Sequence, residues 1–259
     1  MTKRIVILTL TLLLCILPLV SCGTPTAQSL YDKALKMMEE IKTMEAVVTV
    51  TTVSSGYTTK NASTAKINEN ALSVNTNISR WHTKAHEADA VTRTTATAYV
   101  DGYFYTAAED QKIKVACTQE QFEKLLQKSA GESTSEASDL PEFTGADLKD
   151  VLVVLDPRDG SYKFELPLTK TQLNPVLASF DLDDLDATYR NMRGTFYFNK
   201  EQVLTKIEFE MLVIVNGGMR HLTLTTEYVS FNDDVTISAP EDADQYTEKS
   251  YDEILKNLS

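Results

Sequence analysis

The sequence predicts an α+β fold in which an antiparallel sheet carries most of the core, and three observations point there. One amphipathic helix comes first, with Leu30, Ala34, Met37, Ile41 and Met44 recurring at every third or fourth position. From residue 46 the texture changes to β-branched residues alternating with polar ones in short runs broken by turn signals. After residue 194 these runs lengthen into consecutive hairpins.

In the first helix Ser29 is a plausible N-cap and Met38 widens the apolar stripe. Such a stripe at helical spacing packs into a core, although methionines also make adaptable binding surfaces. Strands follow at 46–53, 63–67, 71–78 and 92–100. Asp101 and Gly102 then form a two-residue hairpin, since both central positions of that turn need positive φ. After a strand at 112–117, Thr118 and Gln121 make a capping box for a second helix whose buried face is Phe122, Leu125 and Leu126.

Residues 131–139 are polar and of low complexity, too poor in apolar groups to pack. They read as a long surface loop within one domain, because the strands on either side are too few to close a core alone. Residues 147–155 fit a helix or a buried strand equally well. A strand at 162–166 and a short helix at 169–180, interrupted near Pro175, come next.

The clearest sheet is last. Residues 195–198 turn through Asn199, Lys200, Glu201 and Gln202 into 204–215, which turn at Asn216, Gly217 and Gly218 into 219–231. Along the middle strand Ile207, Phe209, Met211, Val213 and Val215 share one face, and Lys206, Glu208 and Glu210 share the other. That second face turns apolar at Leu212 and Ile214, so this end is covered on both sides, by a packed helix or by the wall of an apolar cavity. A short strand at 235–237 and a terminal helix at 250–258 complete the chain.

The first two dozen residues carry an export address. Lys3 and Arg4 precede an apolar run from residue 5 to residue 20, which ends in Leu19, Val20, Ser21 and Cys22. The run is shorter than the ~20 residues that span a bilayer, and it contains Pro18. It resembles the bacterial lipobox. That resemblance implies a signal peptide at 1–21, palmitate-type lipidation of Cys22, a tether at 22–28 and a single folded domain at 29–259. Two acyl chains anchor stably where one binds marginally. A tether of six residues reaches at most about 20 Å, which keeps the domain beside the cell membrane.

Charge excludes other partners. The chain has 25 basic and 37 acidic side chains, a formal charge of −12, and loss of the signal removes only basic ones. Nucleic acid needs clustered Lys and Arg, as does an anionic headgroup surface, so attachment falls to the lipid. Of the three cysteines, Cys15 leaves with the signal and Cys22 is lipidated, leaving Cys117 without a disulfide partner. Cys117 ends an apparent strand and reads as a small packed side chain.

No nucleophile elbow, phosphate loop or paired Cys-x-x-Cys is present, so no enzyme and no cofactor is expected. His82 and His86 would share a helical face beside Glu87, but no third metal ligand is evident and Trp81 and Lys84 suggest an exposed connector. Asp181, Asp183, Asp184 and Asp186 lack the Gly and Glu of a calcium loop, because Asp186 and Met192 stand at those positions; a solvated acidic turn fits better. Asn61 and Asn77 match the glycosylation pattern by chance.

An exported chain that opens with a helix running into a meander and ends in long hairpins resembles the LolA-like lipoprotein superfamily. The mycobacterial LppX and LprG group and many small lipoproteins of Firmicutes belong there. The likeness is carried at 30–52, at 98–106 with its Tyr99, Val100, Asp101, Gly102, Tyr103 segment, and at 194–211. It implies a strongly curved antiparallel half-barrel whose concave face is covered by helices around an apolar cavity. The expected function is a non-enzymatic lipoprotein on the extracytoplasmic membrane face that binds a lipid or acyl chain. Candidate lining residues are Phe104, Phe122, Phe143, Phe164, Leu212 and Ile214. The alternative is a protein-interaction or envelope-sensing module with a filled core. Cys22→Ala is expected to leave an uncleaved precursor that takes up no radioactive palmitate in growing cells; persistent labelling would remove the lipoprotein assignment.

Overall fold

The alternating runs assemble into one sheet of twelve strands in a computed structural model that describes residues 24–109, 111–129, 140–178, 187–215 and 217–257. The strands are β1 (Met44–Ser54), β2 (Tyr57–Asn68), β3 (Ala71–His82), β4 (Val91–Val100), β5 (Tyr103–Ala108), β6 (Gln111–Ala116), β7 (Val153–Leu155), β8 (Tyr162–Pro167), β9 (Thr188–Phe198), β10 (Leu204–Val215), β11 (Gly218–Phe231) and β12 (Thr247–Lys249). Their spatial order is β12-β6-β5-β4-β3-β2-β1-β11-β10-β9-β8-β7. Two meanders, β1 to β6 and β7 to β11, therefore meet at a single junction between β1 and β11. That junction is antiparallel from Met44 opposite Phe231 to Val53 opposite His221, with a bulge at Glu45 and Ala46. Among the described residues only β12 pairs in parallel, with β6. The sheet stays open, a curved α+β half-barrel with helices on its concave face.

The helices are α1 (Ala27–Glu39), α2 (Gln119–Ser129), α3 (Gly145–Leu148), α4 (Lys170–Ala178) and α5 (Tyr251–Asn257). Helix α1 starts earlier than Ser29 suggests: Thr26 is the N-cap, its Oγ1 accepting from the Ser29 amide at 3.1 Å, because Ala27 is already docked in the core. Part of the expected tether is thus helical. The capping box at α2 forms as read, with the Gln121 amide donating to Thr118 Oγ1 and the Thr118 amide to Gln121 Oε1. Ser250 Oγ accepts from the Glu253 amide and caps α5. Asp101 and Gly102 have φ of 52° and 77°, the turn that their sequence predicts.

The largest core lies under α1 and α4. Leu30 and Tyr31 of α1 and Leu173 and Leu177 of α4 bury against Phe164, Phe196, Phe198 and Leu204 of the sheet. The Phe164 and Phe196 rings stack with centroids 5.0 Å apart, and Tyr31 meets Phe196 edge-on at 6.0 Å. Gly194 is required here, because a Cβ would come within 3.0 Å of Leu168 Cδ1 and 3.3 Å of the Phe196 and Phe209 rings. A second cluster, under α2 and α5, joins Tyr99, Val115, Cys117 and Phe122 to Tyr251 and Ile254. On the convex side Ala98, Val100 and Tyr105 are covered by Tyr246, Ile237 and Ala239.

Several readings of the sequence change. Ile41 and Met44, read as part of the first helix, lie beyond its end at Glu39, and Met44 opens β1. Residues 235–237 form no strand; Ile237 lies across the convex face instead, and the strand that follows is β12. The ambiguous stretch 147–155 divides into the end of α3 and the edge strand β7. Helix α4 runs through Pro175, although proline gives no amide to the ladder. Strand β9 starts well before residue 195, because Tyr189, Arg190 and Arg193 pair with β8 or β10 and Met192 buries beside them, although Arg190, Met192 and Arg193 are not among the residue types that favour strands. Residues 1–23, the loop at 131–139 and the acidic cluster at 181–186 lie outside the described residues.

Phe196 is fully buried at the centre of the aromatic cluster. Phe196→Ala is expected to lower unfolding free energy by about 3 to 5 kcal/mol, read as an earlier midpoint in urea with an unchanged slope.

Candidate functional site

Residues opposite one another in paired strands share a face, so the register fixes what lines the concave side. One cross-strand row runs Met44, Ile67, Leu72, Tyr99, Phe104, Val115 through β1 to β6. It is apolar at every position. The next row is Tyr228, Ala46, Ala65, Val74, Thr97, Thr106, Ile113. Beyond it come Thr226, Val48, Ser63 and Thr76, where the Ser63 and Thr76 hydroxyls bond at 2.8 Å, and then Leu224, Val50, Asn61 and Ile78.

Leu72, Tyr99, Phe104, Ile113 and Val115 belong to the α2 cluster, and Val48, Val50 and Tyr228 pack against the larger one, which leaves Ile67, Ala65 and Val74 in the interval between them. Ile67, Leu72, Val74, Val48 and Val50 are half-buried, neither sealed in a core nor open to water as a plain surface. Met37 and Met38 of α1 pack at the margin of the larger cluster and add flexible thioethers beside this floor. Asn61 Oδ1 is buried with no hydrogen-bond partner among the described residues, an acceptor whose desolvation costs about 1 to 3 kcal/mol if nothing fills it.

The six residues read as a lining do not come together. Phe104 and Phe122 sit in the α2 cluster, where Phe122 stacks on Tyr99 at 4.6 Å and meets Phe104 at 5.7 Å. Phe143 and Phe164 belong to the other cluster, Phe164 fully buried and Phe143 half-buried 5.0 Å from Tyr31. Leu212 and Ile214 lie on the opposite, convex face, across from Arg190 and His221 and from Thr188 and Met219. The floor residues Ile67, Leu72 and Val74 were missed. Their signal was present in the period-two alternation of β2 and β3, but only pairing with β1 shows which parity faces inward.

Buried polar groups support the walls. The Tyr31 hydroxyl donates to the Pro141 carbonyl, and burial together with Glu142 and Asp32 pushes its pKa well above the ordinary tyrosine value. Burial alone does the same for Tyr228. Cys117 is buried in the α2 cluster, and desolvation raises its thiol pKa despite the backbone hydrogen bond at Phe104. His82 ends β3 and His86 lies in the turn after it, so the two share no helix. His82 packs edge-on to Tyr57 at 5.5 Å and accepts from the Lys84 amide. Among the described residues no group of three or more His, Cys, Asp or Glu could hold a metal ion.

Two surface grooves lie elsewhere. One of about 770 Å³ runs along the β7 edge between Leu155, Arg158, Lys163 and Tyr197. Another of about 780 Å³ lies at the hairpin tips beside Glu69, Asp101, Asp233 and Asp234.

No family model matches this chain, and no curated protein matches it. Solved structures do. The chain is similar to two mycobacterial proteins, LprF and LppX. LprF from Mycobacterium bovis is 14% identical, with a TM-score of 0.41 over 84% of this chain and 99% of that one. The Mycobacterium tuberculosis lipoprotein LppX is 9% identical, with a TM-score of 0.36 over 81% and 97%. A LolA superfamily protein from Nitrosomonas europaea is 11% identical, with a TM-score of 0.23 over 85% and 97%. At these scores the likeness carries no argument about ligands, which rest on the concave face itself. Among the described residues no helix is long and apolar enough to cross a membrane.

The burial of Cys117 has a direct readout. In the mature protein this thiol is expected to react with an aromatic disulfide reagent only slowly at pH 8, and stoichiometrically once guanidinium unfolds the chain; rapid native labelling would show that the α2 cluster opens.

Proposed function

We propose that the protein is a non-enzymatic, lipid-anchored binding protein of the extracytoplasmic membrane face, in which the concave side of the half-barrel shelters a lipid or acyl chain. The observation that carries this reading is the half-buried run of Ile67, Ala65 and Val74 on the concave face, between the α2 cluster, which takes up Leu72, Tyr99, Phe104 and Val115, and the larger cluster, against which Val48 and Val50 pack. A soluble sheet normally shows water a polar face or hides an apolar one completely. An intermediate state of this width suits a removable apolar guest.

The driving force is burial at about 25 cal/mol per Å², so a chain covering about 300 Å² gains about 7 kcal/mol before ordering costs. Of the expected lining, Phe104 is half-buried against the α2 cluster and Phe143 against the larger one. Lipidation at Cys22 would deliver the domain to the surface where such guests reside, and its acidic charge would keep it from lying flat on anionic headgroups.

A second reading has its own observation. Leu152 is 77% exposed and Val154 and Leu155 are 44% and 46% exposed along the β7 edge, beside the 770 Å³ groove, which suits contact with another protein. In-cell crosslinking that recovers one dominant protein, together with no apolar adduct, would favour it.

Native mass spectrometry of gently purified mature protein is expected to show an adduct of lipid mass. Val74→Glu places a carboxylate in the floor without emptying either cluster, and is expected to cut fluorescent fatty-acid uptake at least about tenfold while the urea midpoint moves little. Unchanged uptake in that variant would remove the concave face as the site.

A further inference from the structure

The strand charges are sorted by face. Every carboxylate in a strand, namely Glu45, Glu165, Glu208, Glu210, Glu227 and Glu248, is on the convex side, as the register shows. Most have cations beside them there: Arg193 bridges Glu165 at 3.1 Å and Glu210 at 2.7 Å, Lys206 meets Glu208 at 2.9 Å, and Lys66 meets Glu45 at 3.3 Å. Among the described residues the concave side of the strands has no carboxylate. Its arginines are Arg80, opposite Thr59 and Val91, Arg93, opposite Ile78, and Arg220, opposite Val213. For a chain of net charge −12 this is an inversion of the average field.

These arginines share the end of the concave face away from the row that starts at Met44. Going up β3 the inward positions read Leu72, Val74, Thr76, Ile78, Arg80, so the surface passes from apolar, through a hydroxyl, to cationic within one strand. Arg80 and Arg93 are diagonal neighbours across β3 and β4. The Arg80 guanidinium lies over the Tyr57 ring at 4.6 Å, and Lys170 of α4 lies over Tyr189 at 5.1 Å, in the row that continues through Val213 to Arg220. Glu109 takes up Arg93 at 3.2 Å, whereas Arg80 and Arg220 make no ion pair among the described residues. A guanidinium steadied on a ring keeps its forked donors free for a carboxylate or phosphate.

We infer that the concave face takes an anionic amphiphile, its chain on the half-buried floor around Ile67, Ala65 and Val74 and its acidic head at the cationic end of that face marked by Arg80 and Arg220. This inference rests on the apolar-binding reading and adds charge selectivity to it. Neutral lipids would use the same floor without the head contacts.

The test compares two probes with one chain, cis-parinaric acid and its methyl ester, by fluorescence on mature protein. The acid is expected to bind about tenfold tighter than the ester, a difference of about 1.4 kcal/mol, and this ratio should shrink as NaCl is raised. In the double variant Arg80→Gln with Arg220→Gln, ester affinity should be unchanged and acid affinity should fall to the ester's. Lys163→Gln on the convex face should alter neither, and both variants are at exposed positions where the fold tolerates them. Equal binding of acid and ester by wild type would overturn the charge selectivity and leave the apolar site standing. Binding of neither would overturn the apolar site itself.

Discussion

Everything on the concave face depends on the pairing of β1 with β11. Strand side chains repeat every two residues, so a shift of one position in that junction would send Val48 and Val50 outward and bring Val47 and Thr49 inward. Both meanders would keep their local hairpins, yet the apolar rows of β1 to β6 would no longer continue into Leu222, Leu224 and the aromatic cluster around Phe196. The bulge at Glu45 and Ala46 lets the junction begin in step with Phe231 and still place Ala46 opposite Tyr228. Asn232 fastens the same corner, its Oδ1 accepting from the Lys42 amide at 2.7 Å and its Nδ2 donating to the Glu40 carbonyl.

The two ends of the sheet are stabilised differently from its middle. Under α1 and α4 large aromatics fill the space between helix and strand, and under α2 and α5 a smaller set around Tyr99 and Phe122 does the same. The middle strands β2 and β3 instead carry Ser, Thr, Asn and Ala, tied by cross-strand hydroxyl bonds such as Ser79 to Thr92 at 2.9 Å and Thr94 to Asn77 at 2.8 Å. Such pairs hold register without needing a covering layer.

Much of this was legible in the order of residues. The Asp101 and Gly102 turn, the Thr118 and Gln121 box and the alternation along β10 each state their structure locally, because the interactions that enforce them lie within a few positions. What could not be read joins distant parts: the β1 to β11 junction, the parallel contact of β12 with β6, and the resting place of Ile237. The candidate lining shows the same division. Phe104 and Phe143 were chosen by size and hydrophobicity and fall in separate clusters, while Leu212 and Ile214 face the other side of the sheet, since facing depends on the neighbouring strand and not on the residue. Ile67, Leu72 and Val74 are unremarkable in composition and become a surface only when six strands are laid side by side.

The edges of the sheet are short. Each terminal strand, β7 and β12, has three residues, and β12 covers the otherwise open flank of β6 from Ile113 to Val115. A wide open sheet would ordinarily invite further strands from neighbouring molecules, and its two long arms of Thr and Val would make that addition favourable. With so few free amides and carbonyls at either flank, copies crowded side by side gain little by joining edge to edge. Edge-to-edge growth of the sheet is thereby disfavoured at both ends, and the molecule avoids becoming a seed for fibrous self-association.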